Sequence, residues 1–146
     1  MSGRTPVAIA SLLMLSALLA CSKGGEPAKT DSAVTPPAAT GVETPDAGGQ
    51  VIKVEANTDE TGANKFTPNE IEAKKGDVLR FTLVSGVHNV NFVADSNKGA
   101  TMPAAAPMLQ APGQTFDVKV TWAAGRYYFQ CDPHALLGMI GHVTVK

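Results

Sequence analysis

Four residues carry the chemistry of this chain. Cys131-Asp132-Pro133-His134-Ala135-Leu136-Leu137-Gly138-Met139 is a Cys-x2-His-x4-Met run, and His88 lies forty-three residues upstream of its cysteine. A thiolate, two imidazoles and a thioether form a soft donor set, which offers nothing to an oxygen-seeking ion such as magnesium or calcium. Two histidines and a thiolate in a trigonal plane, with a weak axial methionine, make a one-electron copper site. The thiolate stabilises the cupric state and the thioether favours the cuprous one, so both are accessible. Taken singly, each residue has a plainer role. His88 and His134 could be loop histidines, Cys131 a small buried hydrophobe, and Met139 a core thioether. Their joint spacing argues for the metal.

Such a site needs rigid elements beneath it, and the sequence supplies strands. Val51–Glu55 opens the pattern, and Phe66 and Ile71 flank a Pro68-Asn69 turn. Lys74-Lys75-Gly76-Asp77 marks a solvated turn before Val78–Val84. Asn89–Val93 sets Val90 and Phe92 against Asn89 and Asn91, a period of two that predicts a strand. A long loop with Pro103, Pro107 and Pro112 follows, and Phe116–Val120 alternates again. Tyr127–Cys131 and His142–Lys146 complete seven or eight short strands without any ten-residue helical period. The pattern predicts an all-β sandwich, with helix limited to a turn or two within 94–110. Trp122 is expected in the core or at a strand end, Met102 and Met108 as gap-fillers, and His142 on a solvent-facing side of its strand.

The run Tyr127-Tyr128-Phe129-Gln130-Cys131-Asp132-Pro133-His134 through Gly138-Met139-Ile140-Gly141-His142-Val143-Thr144-Val145 resembles the C-terminus of plastocyanins and pseudoazurins, and His88-Asn89-Val90 is similar to the upstream histidine motif of these cupredoxins. The resemblance covers residues 51–146. It implies a Greek-key sandwich with one type 1 copper at one end. His88, Cys131 and His134 would be equatorial, Met139 axial, and Asn89 would brace the cysteine-bearing loop by hydrogen bonding. Two departures matter. Gln130 stands where plastocyanins place a tyrosine used in a second electron route. Over 51–146 nine basic residues balance nine acidic ones, so no acidic docking face is evident. What remains is an apolar end around His134, formed by Val87, Leu136 and Leu137.

The N-terminus reads as an address. Arg4 precedes the apolar run Val7–Leu19, too short at thirteen residues to span about 30 Å of hydrocarbon. This is a secretory signal, and Leu18-Leu19-Ala20-Cys21 resembles the lipobox of bacterial lipoproteins, which implies cleavage before Cys21 and lipidation of its sulfur. Two or more acyl chains hold a protein stably on a membrane. Residues 22–50, with Pro27, Pro36, Pro37 and Pro45 among small polar residues, read as a flexible tether about 30 Å long. Domains are therefore expected at 1–20, 21–50 and 51–146, with the protein exported to the periplasm or cell envelope.

The whole chain of 146 residues has 12 basic and 13 acidic side chains and no basic face, which excludes nucleic acid as a partner. Two cysteines in different segments make no disulfide framework. The leading function is a monomeric carrier of single electrons between redox proteins such as cytochromes or membrane electron-transfer complexes. A copper-dependent oxidoreductase would need further ligands, and only His142 is unassigned. A copper-delivery protein would need an exposed, exchangeable site, commonly rich in Met or His, and no such run occurs.

Overall fold

The computed structural model describes residues 41–146. Residues 1–40, which hold the expected signal segment 1–20, Cys21 and the first part of the expected tether 22–50, lie outside the described residues. Seven strands follow in order: β1 Val51–Thr58, β2 Asn64–Thr67, β3 Glu70–Ala73, β4 Val78–Leu83, β5 Thr115–Lys119, β6 Gly125–Gln130 and β7 Ile140–Val145. They form two sheets, ordered β2-β1-β4-β5 and β3-β7-β6. β1 runs parallel to β4 and β3 parallel to β7, whereas β1–β2, β4–β5 and β6–β7 are antiparallel. The chain crosses between sheets at Pro68-Asn69 and returns at Lys75-Gly76, so consecutive strands are shared between layers. This is an all-β sandwich, as the alternating patterns predict.

Alternation along each strand fills the space between the sheets. In β4, Leu79, Phe81 and Leu83 face inward while Arg80 and Thr82 stay half-exposed. Phe129 of β6 is fully buried and meets Phe66 and Phe81 edge-on, with ring centroids 5.0 and 5.3 Å apart. Such pairs add about 0.5–1.5 kcal/mol each beyond area burial. β7 passes so close to this ring that a Cβ on Gly141 would collide with the Phe129 ring edge and stand 2.6 Å from the Asn69 carbonyl oxygen. Glycine there lets the second sheet close on its aromatic centre. Trp122 is buried beside Phe92 and donates its indole N–H to the Thr101 carbonyl at 3.1 Å.

Three details depart from the sequence reading. Asn89–Val93 is not a regular strand: His88 pairs with Leu109 on one side and Asn91 with Gln130 on the other, each as an isolated bridge. The segment crosses from one sheet toward the other, so no continuous ladder can form. Val90 and Phe92 are buried as the alternation requires, but Asn89 is buried too. In β5, Asp117 is buried next to Val118, breaking the simple alternation. It stands opposite Arg80, which donates to it from Nε at 2.9 Å and Nη2 at 2.7 Å. That bidentate pair holds the carboxylate charge where water is scarce. Finally, the segment just before β1 is tied to the sandwich. The Glu43 amide donates to Asp117, the Asp46 amide to the Gly76 carbonyl, and the Asp46 carboxylate pairs with Lys119 at 2.6 Å.

Among the described residues helix is confined to two 3₁₀ turns, Ala94–Ser96 and Asp132–Leu137. The first falls within 94–110, where a turn is expected. The second lies in the Cys-x2-His-x4-Met loop and positions the site.

Candidate metal centre

His88 reaches the site by a short detour. The chain leaves β4 at Leu83, turns through Ser85-Gly86 and is fixed at His88 by reciprocal backbone hydrogen bonds with Leu109, of 3.1 and 2.7 Å. Gly86 has φ +84°, and a Cβ there would strike the Thr58 hydroxyl and lie 2.8 Å from His88 Nε2. Only glycine lets the turn press against the end of β1. The His88 ring is fully buried, with Nε2 3.1 Å from Thr58 Oγ1 and Nδ1 directed to the other donors.

The other three residues come from one tight loop. β6 and β7 are paired up to Gln130 and Ile140, and the next pair outward is Cys131 opposite Met139, where the Cys131 amide donates to the Met139 carbonyl at 3.1 Å. Between them Asp132–Leu137 winds as a 3₁₀ turn, entered through Pro133 and ended by Gly138 in the left-handed region at φ 91°. The Met139 amide then donates to the His134 carbonyl at 3.1 Å. Antiparallel pairing at its base and a proline and a glycine at its ends leave the loop little freedom. Cys131 and Met139 are fully buried and His134 is half-buried.

Three of the expected donors converge. His88 Nδ1 and His134 Nδ1 are 3.2 Å apart, and Cys131 Sγ lies 3.7 Å from the first and 3.4 Å from the second. An ion bound to nitrogen at about 2.0 Å and sulfur at about 2.3 Å would, in a trigonal plane, set its ligands roughly 3.5 and 3.7 Å apart. The observed spacing fits one such ion, and the soft N2S set with Met139 alongside fits copper. Among the described residues this is the one group of three or more His, Cys, Asp or Glu side chains gathered at metal-binding distance. His142 is not part of it. Its Nδ1 sits 3.1 Å from Glu70, and its ring is half-buried against Tyr128 rather than open to solvent.

Asn89 ties the two halves of the site together. Its Nδ2 donates to Asp132 Oδ2 at 2.8 Å, and its Oδ1 accepts the Asp132 amide at 2.8 Å. Asp132 also accepts from Asn91 at 2.9 Å and Gln130 at 2.8 Å. Sequence reasoning missed Asp132, Asn91 and the bonding role of Gln130. The available signal was Asn89-x-Asn91 upstream and an acidic residue directly after Cys131. It also missed Thr58 and Asn64, whose side chains are linked at 2.7 Å beside His88. The apolar residues assigned to the surface are indeed exposed: Val87 at 45%, Leu136 at 102% and Leu137 at 72%. Val84 and Met108 add further exposed apolar surface.

Burial sets the protonation of the metal-free site. It pushes the His88 pKa below its ordinary 6.5, helped by the neighbouring His134 and opposed by a hydrogen bond to the Ser85 backbone. It pushes the Cys131 thiol above its ordinary 9.0, against backbone hydrogen bonds from Asn89 and His134. Burial also raises the Asp132 carboxyl, but hydrogen bonds from Gln130, Asn89 and Asn91 outweigh it and leave the group below 3.8. The consequences for stability have definite signs. Below pH 6.5 the unfolded chain protonates His88 before the native state does, so the metal-free domain loses stability as pH falls. Above pH 9.0 the unfolded thiol ionises first, so stability also falls as pH rises. Urea midpoints of metal-free protein should therefore be lower at pH 5.5 than at pH 7.5, and His88→Asn should shrink that difference. Equal midpoints in the parent would contradict a buried, neutral His88.

The same span has recognisable relatives. Residues 52–146 match the family of copper binding proteins described as plastocyanin/azurin. The chloroplastic plastocyanin of Chlamydomonas reinhardtii is 36% identical over 91 residues, which cover 60% of this chain and 62% of that one. The plastocyanin of Vicia faba is 40% identical over 91 residues, 58% of this chain and 91% of that one. This chain thus spans less than two thirds of the Chlamydomonas protein. Among solved structures, a fern plastocyanin is 35% identical with a TM-score of 0.56, over 65% of this chain and all of that one. A pseudoazurin from Sinorhizobium is 25% identical with a TM-score of 0.56, over 66% and 74%. From the two-sheet sandwich, the gathered N2S donors and a family match over 52–146, it follows that the chain belongs to the plastocyanin/azurin family of copper binding proteins.

Proposed function

We propose that this protein is a mononuclear type 1 copper protein that carries single electrons between redox proteins outside the cytoplasm. His88, Cys131 and His134 are its equatorial ligands, Met139 is its axial ligand, and Asn89 holds the ligand loop. The observation that carries this reading is the spacing of the three donor atoms, 3.2 to 3.7 Å, at one end of a rigid sandwich. Copper supplies a one-electron couple between cupric and cuprous states. The chain's work is to keep the ligands from moving. The β6–β7 ladder fixes Cys131 against Met139, and Asn89 and Asp132 lock the His88 segment to the loop. Full burial of His88 and Cys131 excludes water and disfavours the exchangeable site that copper delivery would need. His142, occupied with Glu70, supplies no second centre for an oxidoreductase.

Only the half-buried His134 joins the site to the surface, and Leu136 and Leu137 stand beside it in the same turn. Nine basic and nine acidic residues over 51–146 give the domain no net charge to steer a partner. A redox protein such as a cytochrome or a membrane electron-transfer complex therefore docks on the apolar end by burial, with the carrier acting as a monomer. Leu18-Leu19-Ala20-Cys21 supports export and lipidation at Cys21, with the tether holding the domain in the periplasm or cell envelope.

Three experiments test these readings. Copper-loaded parent protein should show one intense thiolate-to-copper band, which Cys131→Ser abolishes while the sandwich stays folded; Met139→Gln should keep copper and lower the potential, because a harder oxygen donor favours the cupric state. A blue band surviving in Cys131→Ser would sink the assignment. Cell fractionation should place the parent with membranes and Cys21→Ser as unprocessed or soluble protein; a wholly soluble parent with unmodified Cys21 refutes the anchor. Stopped-flow exchange with the physiological partner should slow by at least about tenfold in Leu136→Asp, since a carboxylate at a dry contact costs more than the roughly 1–3 kcal/mol of a neutral polar group. Colour should be unchanged and salt dependence weak. A steep salt dependence with an unaffected Leu136→Asp rate would place docking on a charged face elsewhere.

A further inference from the structure

The far side of the His88 ring carries an arrangement that strand pairing alone does not require. Thr58 is the last residue of β1 and stands opposite Asn64, the first residue of β2. Its Oγ1 donates to Asn64 Oδ1 at 2.7 Å and lies 3.1 Å from His88 Nε2. The backbone amide of Thr58 donates to the Ser85 carbonyl at 3.2 Å and to the Ser85 hydroxyl at 3.1 Å. The end of β1 is thereby fastened to the turn that delivers His88, and Gly86 leaves room for the close approach. Nothing in the β1–β2 ladder asks for a hydroxyl here, because valine fills nearly the same volume in a half-buried strand position.

A hydroxyl has one proton to donate. Thr58 spends it on Asn64, so toward His88 its oxygen can only accept. Nε2 of His88 must then be the N–H nitrogen. A neutral imidazole has one donor and one acceptor nitrogen, so Nδ1 carries the lone pair, and Nδ1 is the atom that faces Cys131 Sγ and His134 Nδ1. We propose that Thr58, with Asn64 behind it, is a positioning residue that selects the His88 tautomer able to bind a metal through Nδ1. Its consequence for copper rests on the type 1 reading above; the tautomer itself does not. Hydrogen bonds of this kind from the outer nitrogen orient the ring and raise its basicity, and losing one typically costs about 10–100-fold in metal affinity. A competitor is present: the backbone of Ser85 also hydrogen-bonds His88, and it could fix the tautomer unaided. The two accounts differ in what Thr58 substitution does.

The decisive measurement is long-range proton–nitrogen correlation NMR on metal-free protein labelled with nitrogen-15 histidine, which distinguishes the two ring tautomers without any metal. The parent, Thr58→Ser and Asn64→Asp should each show one His88 tautomer, protonated at Nε2, because each keeps an accepting hydroxyl and an accepting partner behind it. Thr58→Val should show a mixture. In the copper-loaded proteins, Thr58→Val should lose about 10–100-fold in cupric affinity and rise in reduction potential, while Thr58→Ser recovers both. A single Nε2–H tautomer in Thr58→Val would assign the role to Ser85 and overturn the proposal. So would an Nδ1–H tautomer in the parent, since the Thr58 hydroxyl would then be donating to Nε2 and Asn64 donating to the hydroxyl. A parent with the expected tautomer but no blue band would instead overturn the copper reading and leave the positioning role standing.

Discussion

The site depends on a cross-link between two stretches of chain that have no local reason to meet. His88 and Cys131 are forty-three residues apart, and their donor atoms must be held within 3.7 Å. The reciprocal pair between Asn89 and Asp132 does this one residue beyond each donor, with Asn89 buried. The neighbouring Asn91–Gln130 bridge repeats the tie in the backbone, donating in both directions at 2.9 and 3.0 Å. A buried amide without partners would cost on the order of 1–3 kcal/mol. Asn89 is therefore stable inside only when the loop and the His88 segment are in register, which makes its burial a condition on the geometry of the metal centre.

From that tie the remaining architecture follows in layers. The Cys131 loop can be short because the β6–β7 ladder brings its ends together before the loop begins. The ladder can approach the first sheet because Gly141 admits the Phe129 ring. Phe129 in turn joins Phe66 of β2 and Phe81 of β4 into one aromatic centre, so both sheets carry the strand ends on which the ligands sit. Interiors packed in this way do not deform gradually. A donor set mounted on them is held at a defined spacing, at the cost of burying an imidazole and a thiol whose charged forms are thereby disfavoured.

What was legible in the sequence is what is local. Cys131, His134 and Met139 fall within nine residues, and Leu79–Leu83 and Ile140–Val145 alternate cleanly because each stretch has one face in the core. His88 was found from its residue type and its following asparagine. The alternation of Asn89–Val93 was real but misread as a strand: a period of two reports which side chains point inward, not whether the backbone has a continuous neighbour. The burial of Asp117 was invisible for a related reason. Its partners, Arg80 and the Glu43 amide, lie thirty-seven and seventy-four residues away and are set by register. Asp132, Thr58 and Asn64 belong to the same class, polar residues whose meaning is fixed only by what folding places beside them.

The 3₁₀ turn that carries His134 has one more consequence. Six residues between Cys131 and a left-handed glycine are too few to fold back over themselves, so the side chains that do not point at the donors have nowhere to go but outward. Leu136 is fully exposed and Leu137 largely so, while Pro133 and Gly138 fix the backbone that displays them. Leaving two leucines in water is unfavourable for the isolated domain, by about 25 cal/mol for each Å² that burial would otherwise remove from water. In the proposed carrier that unfavourable surface is recovered at each encounter, and it surrounds His134, the imidazole of the donor cluster that is not sealed inside. The loop length that makes the metal geometry rigid is thus the same feature that makes the contact surface apolar, and neither property can be altered by lengthening the loop without altering the other.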